Sequence, residues 1–340
     1  MNRWLVRMGL NGVLWTALAI STFAKSAKPL EIYFIDVEGG QATLVVSPAK
    51  RSLLIDTGFP GGRDSERILA AMQSAGIKKL DYLVITHFHR DHVGGVPELV
   101  QRIKVETFVD HGPDTETSDA AKETYAAYTK AIGRSPHVSL RPGDGLPFKD
   151  IRVQFVAAAG EGITSPLPGA GEANSYCDGA SQPQPDTTEN SQSLGLLISY
   201  RKFRFLDLGD LTEDKQWTLV CPNNLLGSVD LYLTTHHGGS PDNPKALVWA
   251  IHPRVAIMNN GEHKGGSPAA WQIVHDSPGI EDLWQLHYAA DGGTEHNSAE
   301  PLIANVDQKS DGHFLKVTVR PDGGWKVKND RNGYEKAYGK

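Results

Sequence analysis

Four residues with metal-binding side chains follow directly on one apolar segment of this chain. Residues 80–86 have the pattern of a buried strand, and within the next six residues stand His87, His89, Asp91 and His92. Imidazole and carboxylate groups at this spacing, at the carboxyl end of a strand, indicate a metal site. His87 and His89 are close enough to share one ion, and Asp91 and His92 can reach a second. Zinc suits these ligands best, followed by manganese or iron.

Strand and helix patterns alternate in both halves of the chain. Three short β-rich segments precede the metal-binding residues, at 31–37, 42–46 and 53–55, and mixed helix and strand patterns follow them. Because no linker composition separates the halves, the pattern predicts one layered domain that spans residues 28–340. Residues 159–189 are rich in Gly, Pro, Ser, Asn and Asp, which predicts a long inserted loop.

The first 24 residues have the order of a secretory signal. Arg3 and Arg7 precede an apolar run at 8–23, and Ala24 offers a small residue for cleavage. This order predicts a periplasmic or secreted protein with no membrane attachment after cleavage. An uncleaved anchor is the alternative, but the run is shorter than the roughly 20 residues that a spanning helix needs.

The net charge of the chain bears on whether it can bind nucleic acid. Lys and Arg number 34 against 40 Asp and Glu, and removing Arg3 and Arg7 with the signal changes the net charge from −6 to −8. An acidic protein of this kind is not expected to bind duplex DNA strongly, since phosphate neutralisation supplies much of that affinity.

Cys177 and Cys221 are the two cysteines of the chain. An even number in an exported protein favours a disulfide. Two buried thiols and a thiolate metal ligand are the alternatives, although neither cysteine lies in a Cys-x-x-Cys motif or a Cys/His cluster.

The segment THFHRDHVGG at residues 86–95 resembles the His-x-His-x-Asp-His motif of the metallo-β-lactamase superfamily. Three further segments are similar to that family: LIDTG at 54–58, LDLGD at 206–210 and THHG at 235–238. The segments FIDVEGGQA at 34–42 and HHGGS at 236–240 most resemble the hydrolase domain of bacterial competence DNA-uptake channels and its small exported relatives. The resemblance implies an α+β fold, a four-layer αββα sandwich with two β-sheets between outer helices.

The resemblance also implies a ligand set for two ions. His87 and His89 would bind the first, Asp91 and His92 the second, and Asp210 would bridge both. His236 or His237 would complete the second site. Asp91 would also orient the attacking water or protonate the leaving group. Asp56 is expected to support a ligand loop by hydrogen bonds.

One departure from the family concerns the first ion. The superfamily usually supplies another histidine between the first motif and the Gly-Asp segment, whereas here the stretch reads TENSQSL at 188–194. Asn190 is expected in that neighbourhood. The first ion would then bind weakly, or it would keep a coordination position for a substrate oxygen.

Two other sets of residues are weaker candidates for the site. His111 follows a strand-like segment, and a turn residue is its simplest interpretation. His263 and Lys264 follow the strand pattern at 255–258 and could contact an anionic substrate, but a polar loop is the simpler interpretation.

The sequence therefore predicts an exported metal-dependent hydrolase that acts on phosphodiester or other phosphoester bonds, in small molecules or oligonucleotides. A lactam, lactone or thioester carbonyl is the alternative substrate. A non-catalytic metal-containing module of the cell envelope is a third hypothesis. No Gly-x-Gly-x-x-Gly cofactor fingerprint is present, which disfavours hydride chemistry.

Overall fold

The computed structural model describes residues 28–307 and 310–339, so the predicted signal segment lies outside the described residues. The strands are, in chain order, β1 (Leu30–Phe34), β2 (Thr43–Val46), β3 (Ser52–Ile55), β4 (Lys79–Leu80), β5 (Tyr82–Val84), β6 (Lys104–Val105), β7 (Phe108–Asp110), β8 (His137–Ser139), β9 (Gly145–Leu146), β10 (Arg152–Ala158), β11 (Glu161–Gly162), β12 (Gly195–Tyr200), β13 (Phe203–Asp207), β14 (Leu231–Leu233), β15 (Val255–Met258), β16 (Asp282–His287), β17 (Ile303–Asn305), β18 (Leu315–Val319), β19 (Trp325–Asn329) and β20 (Glu335–Tyr338). The helices are α1 (Arg63–Ala75), α2 (Arg90–Val93), α3 (Val96–Leu99), α4 (Asp119–Ile132), α5 (Glu213–Val220), α6 (Lys245–Val248) and α7 (Pro268–His275).

Two large sheets face each other across the main core. The first has the order β20-β19-β18-β1-β2-β3-β5-β7-β8, and the second has the order β11-β10-β12-β13-β14-β15-β16-β17, with β9 beside β10. Apolar side chains from both sheets share one cluster, while two further clusters join the first sheet to α1 to α4 and the second to α5 to α7. The predicted α+β sandwich of four layers is confirmed.

The side chains of β1 point alternately to the two faces of the first sheet, which shows why the sequence forms these layers. Ile32 and Phe34 belong to the cluster between the sheets, whereas Tyr33 belongs to the cluster under the helices. Successive side chains of a strand point to opposite faces, so a strand buried on both faces is apolar throughout.

Parallel strands in each sheet bring the functional loops to one edge. In the first sheet β3, β5 and β7 are parallel, and in the second β13, β14, β15 and β16 are parallel. The loops after β5, β13 and β14 leave the carboxyl ends of these strands, where layered folds place their sites.

The C-terminal quarter of the chain extends both sheets. Residues 261–340 carry no recognisable motif, yet β16 and β17 extend the second sheet and β18 pairs with β1 of the first. Residues 159–189 are mostly irregular, as predicted, but they also contain β11, which pairs with β10.

The predicted disulfide is confirmed. Cys177 and Cys221 are joined, with sulfur atoms 2.01 Å apart, and the bond ties the inserted loop to the end of α5. The two alternatives, free thiols and a thiolate ligand, do not hold. Across residues 28–307 and 310–339, every helix is too short or too polar to span a bilayer.

Candidate metal centre

The loop with the first four predicted ligands runs from β5 into α2, and neighbouring loops hold it by backbone contacts. The amide of Gln41 donates to the Asp91 carbonyl at 3.1 Å, and the amide of Thr57 donates to the His92 carbonyl at 2.7 Å. Gly40 permits the first approach, because a Cβ there would lie 2.4 Å from the Asp91 carbonyl oxygen. The FIDVEGGQA and LIDTG segments thus shape the metal-binding loop.

Four of the predicted ligands converge on one point. Ligand atoms of Asp91, His92, Asp210 and His237 all lie within 4.8 Å of one another, and all four residues are buried. The His92 Nε2 atom lies 3.2 Å from Asp210 Oδ2 and 3.3 Å from His237 Nε2. His237 Nε2 lies 3.2 Å from Asp91 Oδ2. Side chains from two sheets therefore build one ligand group.

His87 and His89 form a second group beside the first. His87 Nε2 lies 3.0 Å from His89 Nδ1 and 3.8 Å from Asp210 Oδ2. Asp210 is therefore the carboxylate that both groups approach, which is the position required of a bridging ligand.

The turn after β14 aims both of its histidines at Asp210. His236 and His237 have φ angles of 51° and 55°, in the left-handed region that non-glycine residues rarely adopt. His237 Nε2 lies 3.4 Å and His236 Nε2 3.6 Å from Asp210 Oδ2. Unfavourable backbone geometry of this kind is concentrated at functional sites. His237 joins the buried four-ligand group, while His236 lies at its rim.

Carboxylates fix the orientation of three of these imidazoles. Asp56 Oδ2 lies 2.7 Å from His92 Nδ1, and Asp242 Oδ2 lies 2.6 Å from His236 Nδ1. Glu116 Oε1 lies 3.2 Å from His89 Nε2. Because an ionised carboxylate only accepts hydrogen bonds, each of these nitrogens carries the proton, and the other nitrogen directs its lone pair into the site. The predicted supporting position of Asp56 matches this geometry.

Asp56 also orders the first residue of the metal-binding loop. It accepts hydrogen bonds from the amide and the hydroxyl of Thr86, both at 2.7 Å. The Thr86 hydroxyl oxygen lies 3.1 Å from His87 Nδ1 and can accept a hydrogen bond from it, which leaves the lone pair of His87 Nε2 free for a ligand role.

The donor set fits divalent cations. Among the described residues, Asp210 Oδ1 is buried without a hydrogen-bond partner, although buried carboxylate oxygens are normally satisfied. Imidazole nitrogens and carboxylate oxygens suit zinc, and also manganese or iron. A cation bound by the Asp210 carboxylate would satisfy this oxygen.

The protonation states agree with this interpretation. Burial lowers the pKa of His87 well below its ordinary value, so that its imidazole is neutral. Burial would raise the pKa of Asp210, but His237 and His92 hold it well below its ordinary value. Burial would lower the pKa of His92, but Asp210, Asp91 and Asp56 together raise it well above its ordinary value. A cation bound here would displace the His92 proton.

Comparison with known proteins relates part of the chain to one family. The sequence profile described as the metallo-beta-lactamase superfamily matches residues 35–174, which include the first predicted metal-binding motif. These residues therefore match a metallo-β-lactamase superfamily domain.

Two curated relatives match most of the chain. ComE operon protein 3 of Bacillus subtilis is 24% identical over 256 residues, which cover 68% of this chain and 28% of that protein. Recombination protein 2 of Haemophilus influenzae is 25% identical over 273 residues, 78% of this chain and 28% of that protein. The chain spans less than a third of the length of either relative. Hydroxyacylglutathione hydrolase of Dechloromonas aromatica is 29% identical over 117 residues, 34% of this chain and 42% of that protein.

Solved structures with this domain are also similar. The metallo-beta-lactamase fold protein YhfI from Bacillus subtilis has a TM-score of 0.47 and 12% identity, with 76% of this chain and 96% of that chain covered.

Asn190 lies in the one-turn helix Glu189–Gln192, where the metallo-β-lactamase pattern usually has a histidine. Its side-chain oxygen is buried and has no hydrogen-bond partner among the described residues. The neighbouring Glu189 accepts a hydrogen bond from the Phe88 amide at 3.0 Å, so this turn packs directly on the metal-binding loop.

His111 is not the simple turn residue that the sequence suggests. It is buried, and its Nε2 atom lies 2.7 Å from Glu189 Oε1. Glu189 also accepts hydrogen bonds from the amide and hydroxyl of Thr115. The pair therefore connects the Asn190 turn to the loop that carries Glu116.

Proposed function

We propose that the protein is an exported metal-dependent hydrolase that cleaves phosphodiester or other phosphoester bonds. The observation that supports it most is the convergence of two ligand groups on Asp210, whose second oxygen is buried without a partner. A site that only maintains structure normally has one ion with a closed ligand shell, and it does not need two groups.

The proposal gives distinct ligands to two cations. Asp91, His92 and His237 would hold one ion, His87 and His89 would hold the other, and Asp210 would contact both. When bound, such ions polarise a phosphoryl oxygen and activate water near neutral pH. Zinc is our first choice of metal, with manganese and iron as alternatives.

Asp91 is suited to accept a hydrogen bond rather than to give a proton. Burial would raise its pKa, but His92 and His237 hold it well below its ordinary value. An ionised Asp91 can orient a water molecule, which favours that part of the sequence-based hypothesis over protonation of the leaving group.

The ligand count favours a phosphoester substrate. His87 and His89 supply only two imidazoles, and the resemblance implies that Asn190 lies in the neighbourhood where the superfamily usually has a further histidine. The first ion would then keep one coordination position for a phosphate oxygen. Such a position is consistent with two ions that hold the attacking and leaving oxygens of a phosphoryl group. The net charge of −6 argues against strong binding to duplex DNA, so small phosphodiesters and short oligonucleotides are the proposed substrates.

An acyl substrate, such as a lactam, lactone or thioester, is the second candidate. One similar protein is named hydroxyacylglutathione hydrolase, and the matched segment covers 34% of this chain. The two ligand groups could equally polarise a carbonyl oxygen.

Export to the periplasm or the medium is part of the proposal. The Cys177–Cys221 disulfide supports it, because disulfides persist in oxidising compartments and are rare in the cytosol.

A substrate panel tests the proposal. The purified protein, with its metal content measured, is assayed against bis-p-nitrophenyl phosphate, nitrocefin and an acyl thioester. His89→Ala removes a proposed ligand, and His275→Ala is the matched control, since His275 is an exposed histidine at the end of α7. We expect metal-dependent cleavage of the phosphodiester that His89→Ala abolishes and His275→Ala retains.

The other outcomes contradict the proposal in different ways. Cleavage of nitrocefin or the thioester alone would assign carbonyl chemistry to the site. Stable metal binding without turnover of any substrate would favour the non-catalytic envelope module.

A further inference from the structure

Lys264 places a positive charge beside the metal ligands. Its Nζ atom forms a short ion pair with Asp91 Oδ2 and lies 5.2 Å from the centre of the Phe59 ring. Among the described residues, it is the one lysine or arginine that forms an ion pair with a carboxylate of the four-ligand group, since the other ion-pair partners of Asp91 and Asp210 are histidines.

The loop that presents Lys264 is fixed to the ligand turn. The amide of Gly266 donates to the His237 carbonyl, and the amide of Ser267 donates to the Gly238 carbonyl, both at 2.9 Å. Gly265 permits this contact, because a Cβ there would lie 2.1 Å from the His237 carbonyl oxygen. The position of Lys264 relative to the ligands is thus set by backbone packing, which is how a binding group is held in place.

The Lys264 side chain is open to solvent as well as to the site. It is 42% exposed, whereas the Asp91 side chain is 12% exposed. The ion pair therefore joins a partly exposed lysine side chain to a nearly buried carboxylate of the four-ligand group. A cation bound by Asp91 would neutralise part of the negative charge of that carboxylate. The Lys264 ammonium group could then attract a second anion.

We infer that Lys264 binds the charged, non-reacting oxygen of an anionic substrate and thereby selects phosphodiesters over neutral esters. This inference rests on the proposed function and names its substrate class more narrowly. It replaces the simpler sequence-based interpretation of Lys264 as part of a polar loop.

Two substrates that share a leaving group test the inference. Bis-p-nitrophenyl phosphate carries a negative charge, whereas diethyl p-nitrophenyl phosphate is neutral. We expect Lys264→Met to raise KM for the charged substrate roughly tenfold, the effect of losing one charge-assisted hydrogen bond, with a smaller change in kcat. Any turnover of the neutral substrate should stay the same, and Lys264→Arg should recover most of the affinity.

Lys316→Met is the matched control. Lys316 also pairs with a carboxylate, Glu31, and lies 4.8 Å from the centre of the Tyr33 ring, but it is on β18. We expect this variant to keep the wild-type KM for the charged substrate. Metal content and thermal midpoint are measured for every variant.

Binding of inorganic phosphate, measured by calorimetry on the metal-loaded protein, separates this inference from the proposed function. We expect phosphate to bind roughly tenfold more weakly to Lys264→Met than to wild type. If this loss occurs while wild type cleaves no phosphodiester, Lys264 is an anion-binding group, but the proposed hydrolase and the selection of phosphodiesters by Lys264 are both wrong. Unchanged phosphate binding, or loss of metal from Lys264→Met, would overturn the inference, because Lys264 would then act on Asp91 alone.

Discussion

At the residue scale, the metal centre depends on side chains that do not themselves contact a cation. Asp56 accepts a hydrogen bond from His92 Nδ1 and two hydrogen bonds from Thr86, and its own φ angle is 61°. Asparagine tolerates this left-handed backbone, so Asp56→Asn changes the charge without a new conformational penalty.

We predict that Asp56→Asn weakens metal binding about 10- to 100-fold, as loss of such an orienting partner typically does. The amide of asparagine can still accept one hydrogen bond, but it lacks the charge that favours a proton on Nδ1. Calorimetric titration of the chelator-treated protein with zinc measures the change. Wild-type affinity in the variant would show that Asp56 does not orient His92.

A second residue-scale prediction concerns Asp207, which accepts hydrogen bonds from Gln41 and the Gly209 amide. Burial raises its pKa to about 7, and Asp56 adds to this shift. The folded state therefore keeps a proton on Asp207 that the unfolded state releases near pH 4. As pH rises from about 4 to about 7, the contribution of this carboxyl group to the free energy of unfolding decreases.

The variant Asp207→Asn removes that dependence. We expect its free energy of unfolding, relative to wild type, to increase between about pH 4 and pH 7 and to stay level above that range. Urea denaturation with chelator present, at a series of pH values, gives the difference. A difference that does not vary with pH would contradict the raised pKa.

At the scale of elements, the Asn190 turn and the loop after β7 depend on one buried carboxylate. Glu189 pairs with His111 and accepts hydrogen bonds from Phe88 and Thr115. Burial opposes its ionisation, but the His111 hydrogen bond and charge lower its pKa to about 2. Its stabilising effect is therefore present above about pH 4.5 and is lost as pH falls towards 2.

We predict that Glu189→Gln lowers the free energy of unfolding by about 1–3 kcal/mol at pH 7, since it disrupts the buried hydrogen bonds that this carboxylate accepts from His111, Phe88 and Thr115. The exposed Glu123 of α4 supplies a control, and Glu123→Gln should change stability very little. Chemical denaturation measures both. Equal effects of the two variants would mean that the buried pair contributes nothing.

The sequence predicted the elements that carry local signals and missed contacts that depend on the fold. His87, His89, Asp91 and His92 lie within one loop, so their spacing alone indicated a site. Glu116, Asp242 and Asn259 lie near ligand histidines only because separate loops meet at the sheet edge. Asp242 offered one signal, as a polar turn residue six positions after His236.

At the scale of the whole molecule, the site joins the two sheets. Asp91 and His92 follow β5 of the first sheet, whereas Asp210 and His237 follow β13 and β14 of the second. A cation held by all four would therefore link the sheets, and it would bind the folded state in preference to the unfolded chain.

We therefore predict that metal removal destabilises the fold. At a free metal concentration 100 times Kd, binding contributes about 2.7 kcal/mol to stability, so dialysis against a chelator should lower the thermal midpoint. Adding zinc back should restore it in wild type and not in Asp210→Ala. An identical thermal midpoint with and without metal would contradict this prediction, because it would show that the folded state does not bind the cation in preference to the unfolded chain.

The proposed two-cation hydrolase is tested most directly by the activity of chelator-treated protein while zinc is added in steps. We expect hydrolysis of bis-p-nitrophenyl phosphate to rise as two ions bind per chain, and Asp210→Ala to stay inactive at every zinc concentration. Absence of hydrolysis at full zinc occupancy, or equal activity in Asp210→Ala, would contradict it.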